Sequence, residues 1–363
     1  MKKTSNSVLL VGTAALLLVG CVGLSLFPAQ RHSVEEKREL AAFPTVSLAG
    51  VLDGSVTAAL ENYATERVPF RSVCRKLHGA TELALLRAES HGVILCRDGS
   101  LCRRLTVNEV AYQKNLAALP KLQKRIGEIP FTLAVAPRRI DVRCEVLPAL
   151  YKTARENEVW EALPAGAVTF LDATEDGQWY RTDHHWTAEG AYFAYVRLGR
   201  SLGYAPLPKE AFTPETVSDS FLGSSAAAAG LPGIRPDTLA LWQTPEEAVY
   251  CVLRDGLPAN FSGLYDRKKL DTGDPYAVFL GGNCGLTEIK RGEEDDRPTL
   301  LVIKDSFANS LLPFLARHFR ILAVDPRYRV GGLQALAEEA DLALVLCGMQ
   351  TLTEAAFFAP LLR

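Results

Sequence analysis

The sequence lacks an excess of charge of either sign, and it lacks internal repeats and long tracts of low complexity. Its formal net charge is −2, and no basic patch with interleaved aromatic residues occurs, so there is no reason to expect nucleic-acid binding. Hydrophobic residues make up 48% of the 363 residues and charged residues 23%, as in ordinary globular proteins. We therefore expect one large or two smaller folded domains with a proper core.

The cysteines do not form a metal-binding pattern. None of the eight belongs to a C-x-x-C pair, which argues against a structural zinc site. Cys96 and Cys102 flank a turn-like segment, so a hairpin disulfide in an oxidising compartment is one interpretation. Two separate thiols, buried or free, are an equally good interpretation.

An apolar run near the N-terminus indicates an export signal or a membrane anchor. Lys2 and Lys3 precede residues 8–27, which contain no charge and have about the length of one bilayer span. We favour an uncleaved anchor in a bacterial cell membrane, with the lysines in the cytoplasm and the main domain extracytoplasmic. The alternative is a lipoprotein that is cleaved before Cys21 and lipidated on it.

The pattern along the chain predicts three regions. Residues 1–30 are the signal anchor or lipoprotein signal, 31–90 an N-terminal helical extension, and 91–363 the main domain, with an irregular, lid-like insertion near 206–274. In the main domain, short apolar strands such as 300–303 alternate with helices. This alternation predicts an α/β fold with a mostly parallel sheet covered on both faces.

Two short motifs, far apart in sequence, supply an acid, a base and a hydroxyl. They are Thr-Asp-His-His-Trp-Thr at 182–187 and Lys-Asp-Ser-Phe at 304–307. Asp183 and His185 are two residues apart, so on extended backbone their side chains share one side, while His184 points to the other. A carboxylate beside an imidazole can fix its tautomer and stabilise the imidazolium.

Ser306 is predicted to lie where a strand leads into a helix over residues 308–319. Open α/β sheets place their sites at the carboxyl ends of strands, and a helix N-terminus favours a developing oxyanion. The alternative is that Ser306 or Asp305 only caps the helix. Because an Asp-His pair occurs in the same chain, we favour Ser306 as a nucleophile.

Other residues near these motifs allow more than one interpretation. Gly282 lets backbone approach a ligand and the Asn283 amide can donate to an oxyanion, but a simple turn fits equally well. Trp186 is expected to pack in the core or to stack on substrate.

Metal catalysis ranks below the serine hypothesis. Asp183, His184 and His185 are all metal-ligand types. Adjacent histidines on extended backbone diverge, however, and the sequence has no HExxH-like helical pair.

At these residues the sequence resembles the DHHW family, named for the run found here at 183–186. That family is similar to the SGNH-hydrolase-like proteins of alginate O-acetylation in bacterial envelopes. The other blocks that support the resemblance are residues 36–44, 61–71, 135–148, 281–283, 304–307 with 313–316, and 325–328.

The resemblance implies an SGNH-hydrolase-like, three-layer α/β/α fold and a serine triad that needs no cofactor and no metal. The implied triad comprises Ser306 as nucleophile, His185 as base and Asp183 as orienter. Beside it, the candidate oxyanion- or substrate-binding residues are Asn283, Gly282, His184 and Trp186. The implied function is a serine-dependent acyltransferase or esterase, acetyl in particular, acting on a cell-surface polysaccharide or peptidoglycan-type glycan, with a membrane acyl-donor protein as a further partner. The second hypothesis is a non-catalytic envelope protein of the same fold that binds glycan or a protein partner.

Overall fold

This computed structural model describes residues 12, 15, 32–33, 38–68, 70–149, 151, 154–246, 249–292 and 294–363. The predicted anchor at residues 1–30 lies outside the described residues, apart from Gly12 and Ala15, and so does Cys21 of the lipoprotein alternative. Over the residues that are described, no helix combines the length and the apolar character needed to cross a membrane.

The chain divides into two compact units. Met1–Arg87 with Gly230–Pro232 forms one, and Ala88–Ala229 with Gly233–Arg363 forms the other. The described strands are β1 His32–Ser33, β2 Arg38–Glu39, β3 Glu89–Ser90, β4 Val93–Leu95, β5 Leu101–Arg103, β6 Phe131–Ala136, β7 Val168–Thr169, β8 Thr213–Phe221, β9 Asp237–Gln243, β10 Tyr250–Arg254, β11 Leu257–Pro258, β12 Leu286–Arg291, β13 Thr299–Lys304, β14 Arg320–Val324 and β15 Leu342–Gly348. The described α-helices are α1 Leu48–Leu52, α2 Ser55–Glu66, α3 Arg71–Ala84, α4 Glu109–Ile126, α5 Arg139–Val142, α6 Ala154–Glu161, α7 Ala188–Leu202, α8 Ser224–Ala229, α9 Leu312–Leu315, α10 Leu333–Glu338 and α11 Met349–Glu354.

The first unit is helical, with α1, α2 and α3 and the two-stranded ribbon β1–β2. In the second unit, β3, β4 and β5 form a small antiparallel sheet. Cys96 and Cys102 lie in this region as two buried, separate thiols.

The main sheet of the second unit has eight strands, in the order β11-β10-β12-β14-β13-β15-β6-β7. The five strands from β14 to β7 are parallel to one another. The other three pair antiparallel. The sheet is therefore mixed, and the prediction of a mostly parallel sheet is corrected. The reason is that β10, β11 and β12 add three antiparallel strands at one edge of the five parallel ones.

Strand β13 lies in the middle of this sheet, and all six of its residues are buried. Leu300 and Val302 face the core that contains Ala191 and Leu198 of α7. Leu301 and Ile303 face the opposite core, which contains Leu119 and Leu122 of α4. A strand that is apolar on both faces is typical of a sheet covered by helices on both sides, which is the three-layer α/β/α arrangement seen here.

The region near 206–274 is more regular than its composition predicts. It contains the antiparallel ribbon β8–β9 and the helix α8, and its strands β10 and β11 join the edge of the main sheet. This segment therefore supplies part of the main sheet as well as the ribbon, and it is not an irregular excursion.

Helix α7 follows the Asp-His-His-Trp motif and is fixed at both ends by local chemistry. The Thr187 hydroxyl accepts a hydrogen bond from the backbone N–H of Gly190, and Gly203 ends the helix at a φ of 74°. A left-handed residue at this position favours glycine, and threonine is a preferred N-cap. The end of the motif is therefore held at the start of a fifteen-residue helix.

Candidate active site

The serine predicted to be the nucleophile lies on a short 3₁₀ turn, Ser306–Ser310, directly after β13. The predicted helix over 308–319 is not continuous, because α9 begins separately with Pro313 in its first turn. Asp305 caps the turn: its Oδ1 accepts from the N–H of Phe307 at 2.9 Å and its Oδ2 from the N–H of Gly348 at 2.7 Å. Asp305 is therefore the capping residue, and the Ser306 hydroxyl is left for other contacts.

The structure brings Asp183, His185 and Ser306 together in one chain of hydrogen bonds. His185 Nδ1 lies 2.6 Å from Asp183 Oδ1, and His185 Nε2 lies 2.8 Å from Ser306 Oγ. Nδ1 donates to the carboxylate, which leaves Nε2 as the acceptor for the serine hydroxyl. These are the contacts that a nucleophile, a base and an orienting acid require.

Asp183 is buried and held by three donors. Its Oδ1 also accepts from the backbone N–H of His185 at 3.0 Å, and its Oδ2 accepts from the N–H of Ser224 at 2.6 Å. Burial alone would raise the pKa of Asp183, but the imidazole of His185 and these hydrogen bonds hold it well below its usual range. The carboxylate is therefore ionised at neutral pH and can stabilise a positive charge on His185.

Two aromatic rings fix the plane of the His185 imidazole. The ring of Tyr276 stacks on it with 4.0 Å between centroids and 3° between planes. Phe307 meets the same imidazole edge-on at 5.1 Å. Burial raises the pKa of Tyr276 well above its usual value, so its phenol stays neutral and its O–H lies 3.1 Å from Ser310 Oγ. Sequence reasoning missed Tyr276, although it precedes the Gly-Gly-Asn turn by only a few residues.

The prediction that His184 points away from His185 is wrong. Residues 181–185 form a series of bends, not a strand, and the two imidazole rings lie 3.7 Å apart between centroids. His184 Nδ1 lies 2.5 Å from Ser224 Oγ. Burial and the neighbouring His185 lower the pKa of His184 well below its usual value, so this imidazole is neutral at pH 7.

Trp186 is a core residue. Its side chain is 1% exposed, and its Nε1–H donates to the carbonyl of Phe307 at 3.1 Å and to Ser310 Oγ at 3.0 Å. It therefore ties the start of α7 to the turn that holds Ser306.

The Gly-Gly-Asn turn lies beside the Ser306 turn. Its two predicted oxyanion donors, Gly282 and Asn283, differ in whether the donor group is already hydrogen-bonded. The Gly282 N–H donates to the carbonyl of Phe279 at 3.0 Å, so this amide is already engaged. Asn283 Oδ1 accepts from Asn309 Nδ2 at 3.0 Å, and Asn309 belongs to the Ser306 turn. Gly281 and Gly282 both have positive φ, at 75° and 82°, which explains two glycines here.

The three metal-ligand types of the motif do lie together. One ligand atom from each of Asp183, His184 and His185 falls within 4.8 Å of the others. Both nitrogens of His185 are engaged by Asp183 and Ser306, and His184 Nδ1 is engaged by Ser224. A metal ion would have to displace these hydrogen bonds, so the geometry favours the serine hypothesis.

Gly223 is a further residue that sequence reasoning missed, and its position leads to a prediction. A Cβ atom at residue 223 would lie 2.2 Å from Asp183 Cβ and 2.4 Å from Asp183 Oδ2. Because Asp183 is held on all sides, Gly223→Ala is expected to destabilise the fold by about 2–4 kcal/mol and to displace the carboxylate from His185. Thermal unfolding and esterase assays would measure the two effects.

The matched control is Ser225→Ala, two residues further on. Ser225 is fully buried, and its hydroxyl has no hydrogen-bond partner within the part of the chain that the structure describes. Removing it should leave stability unchanged or slightly raised. Equal stability of the Gly223→Ala and Ser225→Ala proteins would contradict the close approach of Gly223 to Asp183.

Comparison with known proteins agrees with the resemblance predicted from the sequence. Residues 172–324 match the family model described as DHHW protein, which confirms the predicted resemblance to that family over this segment. No curated protein matches the sequence.

Several solved structures have the same fold. A DHHW family protein from Eubacterium siraeum superposes with a TM-score of 0.61 at 18% identity, covering 74% of this chain and 95% of that one. PatB1 from Bacillus cereus superposes with a TM-score of 0.59 at 18% identity, covering 73% of this chain and 98% of that one. A second PatB1 structure, described with a sulfonyl adduct, gives a TM-score of 0.58 at 17% identity, with coverage of 73% and 98%. At such identities these likenesses establish the fold alone.

Proposed function

Since residues 172–324 match the DHHW family, we propose that Ser306, His185 and Asp183 form a catalytic triad for acyl transfer. The observation that supports this most strongly is the continuous hydrogen-bond chain from Asp183 through both nitrogens of His185 to Ser306 Oγ. The proposed enzyme is a serine acyltransferase or esterase that uses acetyl groups and needs no metal or cofactor. Its proposed acceptor is a cell-surface glycan.

The reaction follows from the protonation states of the site. His185 Nε2 accepts the proton of Ser306 Oγ as the oxygen attacks the acyl carbonyl carbon, and Asp183 stabilises the resulting imidazolium. The tetrahedral intermediate collapses to an acyl-Ser306 ester, and the leaving alcohol takes the proton from His185 Nε2. The hydroxyl of a glycan or of water then attacks the acyl-Ser306 ester and gives its proton to His185 Nε2. Collapse of the second tetrahedral intermediate releases the acyl product, and Ser306 Oγ takes the proton back from His185 Nε2.

The substrate class and the location rest on the sequence. The glycan acceptor follows from the resemblance to envelope O-acetylation proteins, and the extracytoplasmic position from the apolar run at residues 8–27. A membrane acyl-donor protein would then supply the acetyl group on the same side. Transfer and hydrolysis use the same triad and differ in whether water is excluded from the acyl-enzyme.

The test uses a reagent class suggested by the sulfonyl adduct of PatB1. An activated serine hydroxyl displaces fluoride from a sulfonyl fluoride, so the full-length chain should gain one sulfonyl group, and peptide mapping by mass spectrometry should locate it on Ser306. A chromogenic acetyl ester should give turnover that the reagent abolishes. His185→Ala should slow both reactions, because Ser306 loses its base.

A folded wild-type protein that forms neither adduct nor product would contradict the enzyme hypothesis. It would favour the non-catalytic alternative, in which the same fold binds glycan or a protein partner. Addition of an acetyl-accepting oligosaccharide separates the two enzymatic activities, because a transferase would release acetylated sugar and an esterase would release acetate.

A further inference from the structure

A buried lysine lies beside the proposed triad and has no role in the proton transfers described above. Lys304 is the last residue of β13, two residues before Ser306, and is 1% exposed. Lysine is rarely buried to this degree, because its ammonium must give up its hydration. Its Nζ donates to Asn309 Oδ1 at 2.5 Å and lies 3.3 Å from Asn283 Oδ1.

These contacts determine the orientation of both amide side chains. An ammonium has donors and no acceptor, so the amide atom that faces it must be the oxygen in Asn309 and in Asn283. Asn309 Nδ2 then donates to Asn283 Oδ1 at 3.0 Å. The Asn283 oxygen is thus held by two donors, and its Nδ2 is directed elsewhere.

Asn283 Nδ2 is the donor that remains available. It has no acceptor within the part of the chain that the structure describes, and Asn283 is only partly buried, whereas Lys304 and Asn309 are each 1% exposed. Asn309 lies on the 3₁₀ turn that begins at Ser306, so the oriented amide is attached to the turn of the proposed nucleophile.

We propose that Lys304 is a positioning residue that orients the Asn283 amide, so that Asn283 Nδ2 donates to the oxyanion formed when Ser306 attacks an acyl group. The proposal rests on the proposed function, since it presupposes attack by Ser306. Asn283 contacts the reacting atoms, and Lys304 acts through it. A preorganised amide donor of this kind needs no reorganisation in the transition state.

The protonation state of Lys304 gives the proposal a pH dependence. Burial lowers the pKa of Lys304 to about 8, opposed by the acidic groups of Asp325, Cys284 and Asp305, while Arg327 lowers it further. Below that pH the Lys304 ammonium can only donate, so the side-chain oxygen of Asn283 must face it. Above it the neutral amine has a lone pair that can accept from an amide N–H, so the orientation of Asn283 is no longer fixed.

The experiment compares Lys304→Met, Asn283→Ala and the double variant in the full-length chain with a chromogenic acetyl ester. Removing one oxyanion donor is expected to lower kcat by about 10²- to 10³-fold, and KM should change by less than about twofold. Because both single variants remove the same donor, the double variant should be no slower than the slower single variant. The control is Lys121→Met, which removes an exposed lysine of α4 and should retain the wild-type kcat.

The pH profile is a second readout, and it does not depend on the folding of Lys304→Met. The kcat of the wild type should fall above about pH 8, and that decrease should be absent from Asn283→Ala, which has already lost the donor. If Lys304 had only a structural role, Lys304→Met would be less stable than the wild type. The folded variant would then have the kcat and the pH profile of the wild type.

The outcomes separate this proposal from the proposed function. An active wild type with an unchanged kcat in Lys304→Met, or with additive losses in the double variant, would overturn the positioning role and leave the triad intact. A wild type that forms no acyl-enzyme would overturn the proposed function, and the positioning role with it.

Discussion

Ser306→Ala is expected to lower kcat/KM for an acetyl ester by about 10⁴-fold or more while the fold stays intact. The hydroxyl contacts His185 Nε2, and Asp305, not Ser306, caps the turn. Alanine therefore removes the nucleophile and leaves the hydrogen bonds of the turn in place. Steady-state kinetics and the sulfonyl-labelling assay measure the loss directly, and thermal unfolding tests the fold.

Ser310→Ala is the matched control on the same turn. Ser310 Oγ accepts from Trp186 Nε1 at 3.0 Å and lies 3.1 Å from the Tyr276 hydroxyl, but it has no contact with His185. Its removal leaves buried polar groups with fewer partners and should cost about 1–3 kcal/mol of stability, with labelling of Ser306 preserved. If Ser306→Ala kept substantial activity, or if the label moved to another residue, the assignment of the nucleophile would be wrong.

Asp183→Asn is expected to lower kcat by about 10³- to 10⁴-fold. The carboxylate receives donors on both oxygens: the N–H groups of His185 on Oδ1 and the backbone N–H of Ser224 on Oδ2. An amide offers one oxygen, so in either orientation its NH₂ group meets a backbone N–H. In one orientation the NH₂ also faces His185 Nδ1, which moves the ring proton to Nε2 and leaves no acceptor for Ser306. In both orientations the negative charge beside the imidazolium is lost.

Asp237→Asn separates this effect from simple loss of a buried carboxylate. Asp237 is buried and accepts from the backbone N–H groups of Arg181 and Thr182 and from the Thr182 hydroxyl, at the start of the 182–187 motif. It does not contact His185. We expect Asp237→Asn to unfold at a lower temperature than the wild type but to keep kcat within about tenfold. Equal losses of kcat in the two variants would mean that Asp183 has only a structural role.

Local patterns predicted those parts of the fold that local chemistry determines. Helix α7 begins after Thr187 and ends before Gly203, as the cap residues indicate, and β13 contains the predicted apolar strand 300–303. The separate 3₁₀ turn at Ser306–Ser310 was not predicted. Its cap, Asp305, bonds to the end of β15 as well as to this turn, and a contact with a strand that is distant in sequence leaves no local pattern. The antiparallel strands β10 and β12 depend on pairing between distant segments, which no local pattern reveals.

In the candidate site, too, local sequence indicates some features and contacts between distant segments determine the others. Residue types and spacing selected Asp183, His185 and Ser306 because the chemistry requires these side chains. Their distances depend on features that residue type and spacing do not reveal: the bends at residues 181–185, the Tyr276 ring on His185, and the close approach of Gly223 to Asp183. Gly223 and Ser224 belong to the region predicted as an irregular insertion, so that region supplies part of the support of the acid.

The position of β15 has a consequence for biosynthesis. His185 and Ser306 are 121 residues apart in sequence, and Asp305, which holds the Ser306 turn, accepts hydrogen bonds from Gly348 and Thr351 beyond them. Strand β15 also separates β13 from β6 in the sheet. A nascent chain that has emerged only as far as Ser306 has both motifs but lacks the strand whose end bonds to Asp305. Contacts of such long sequence separation form late. We therefore expect the Ser306 turn of a growing chain to take its final position only after β15 has been synthesised and has entered the sheet.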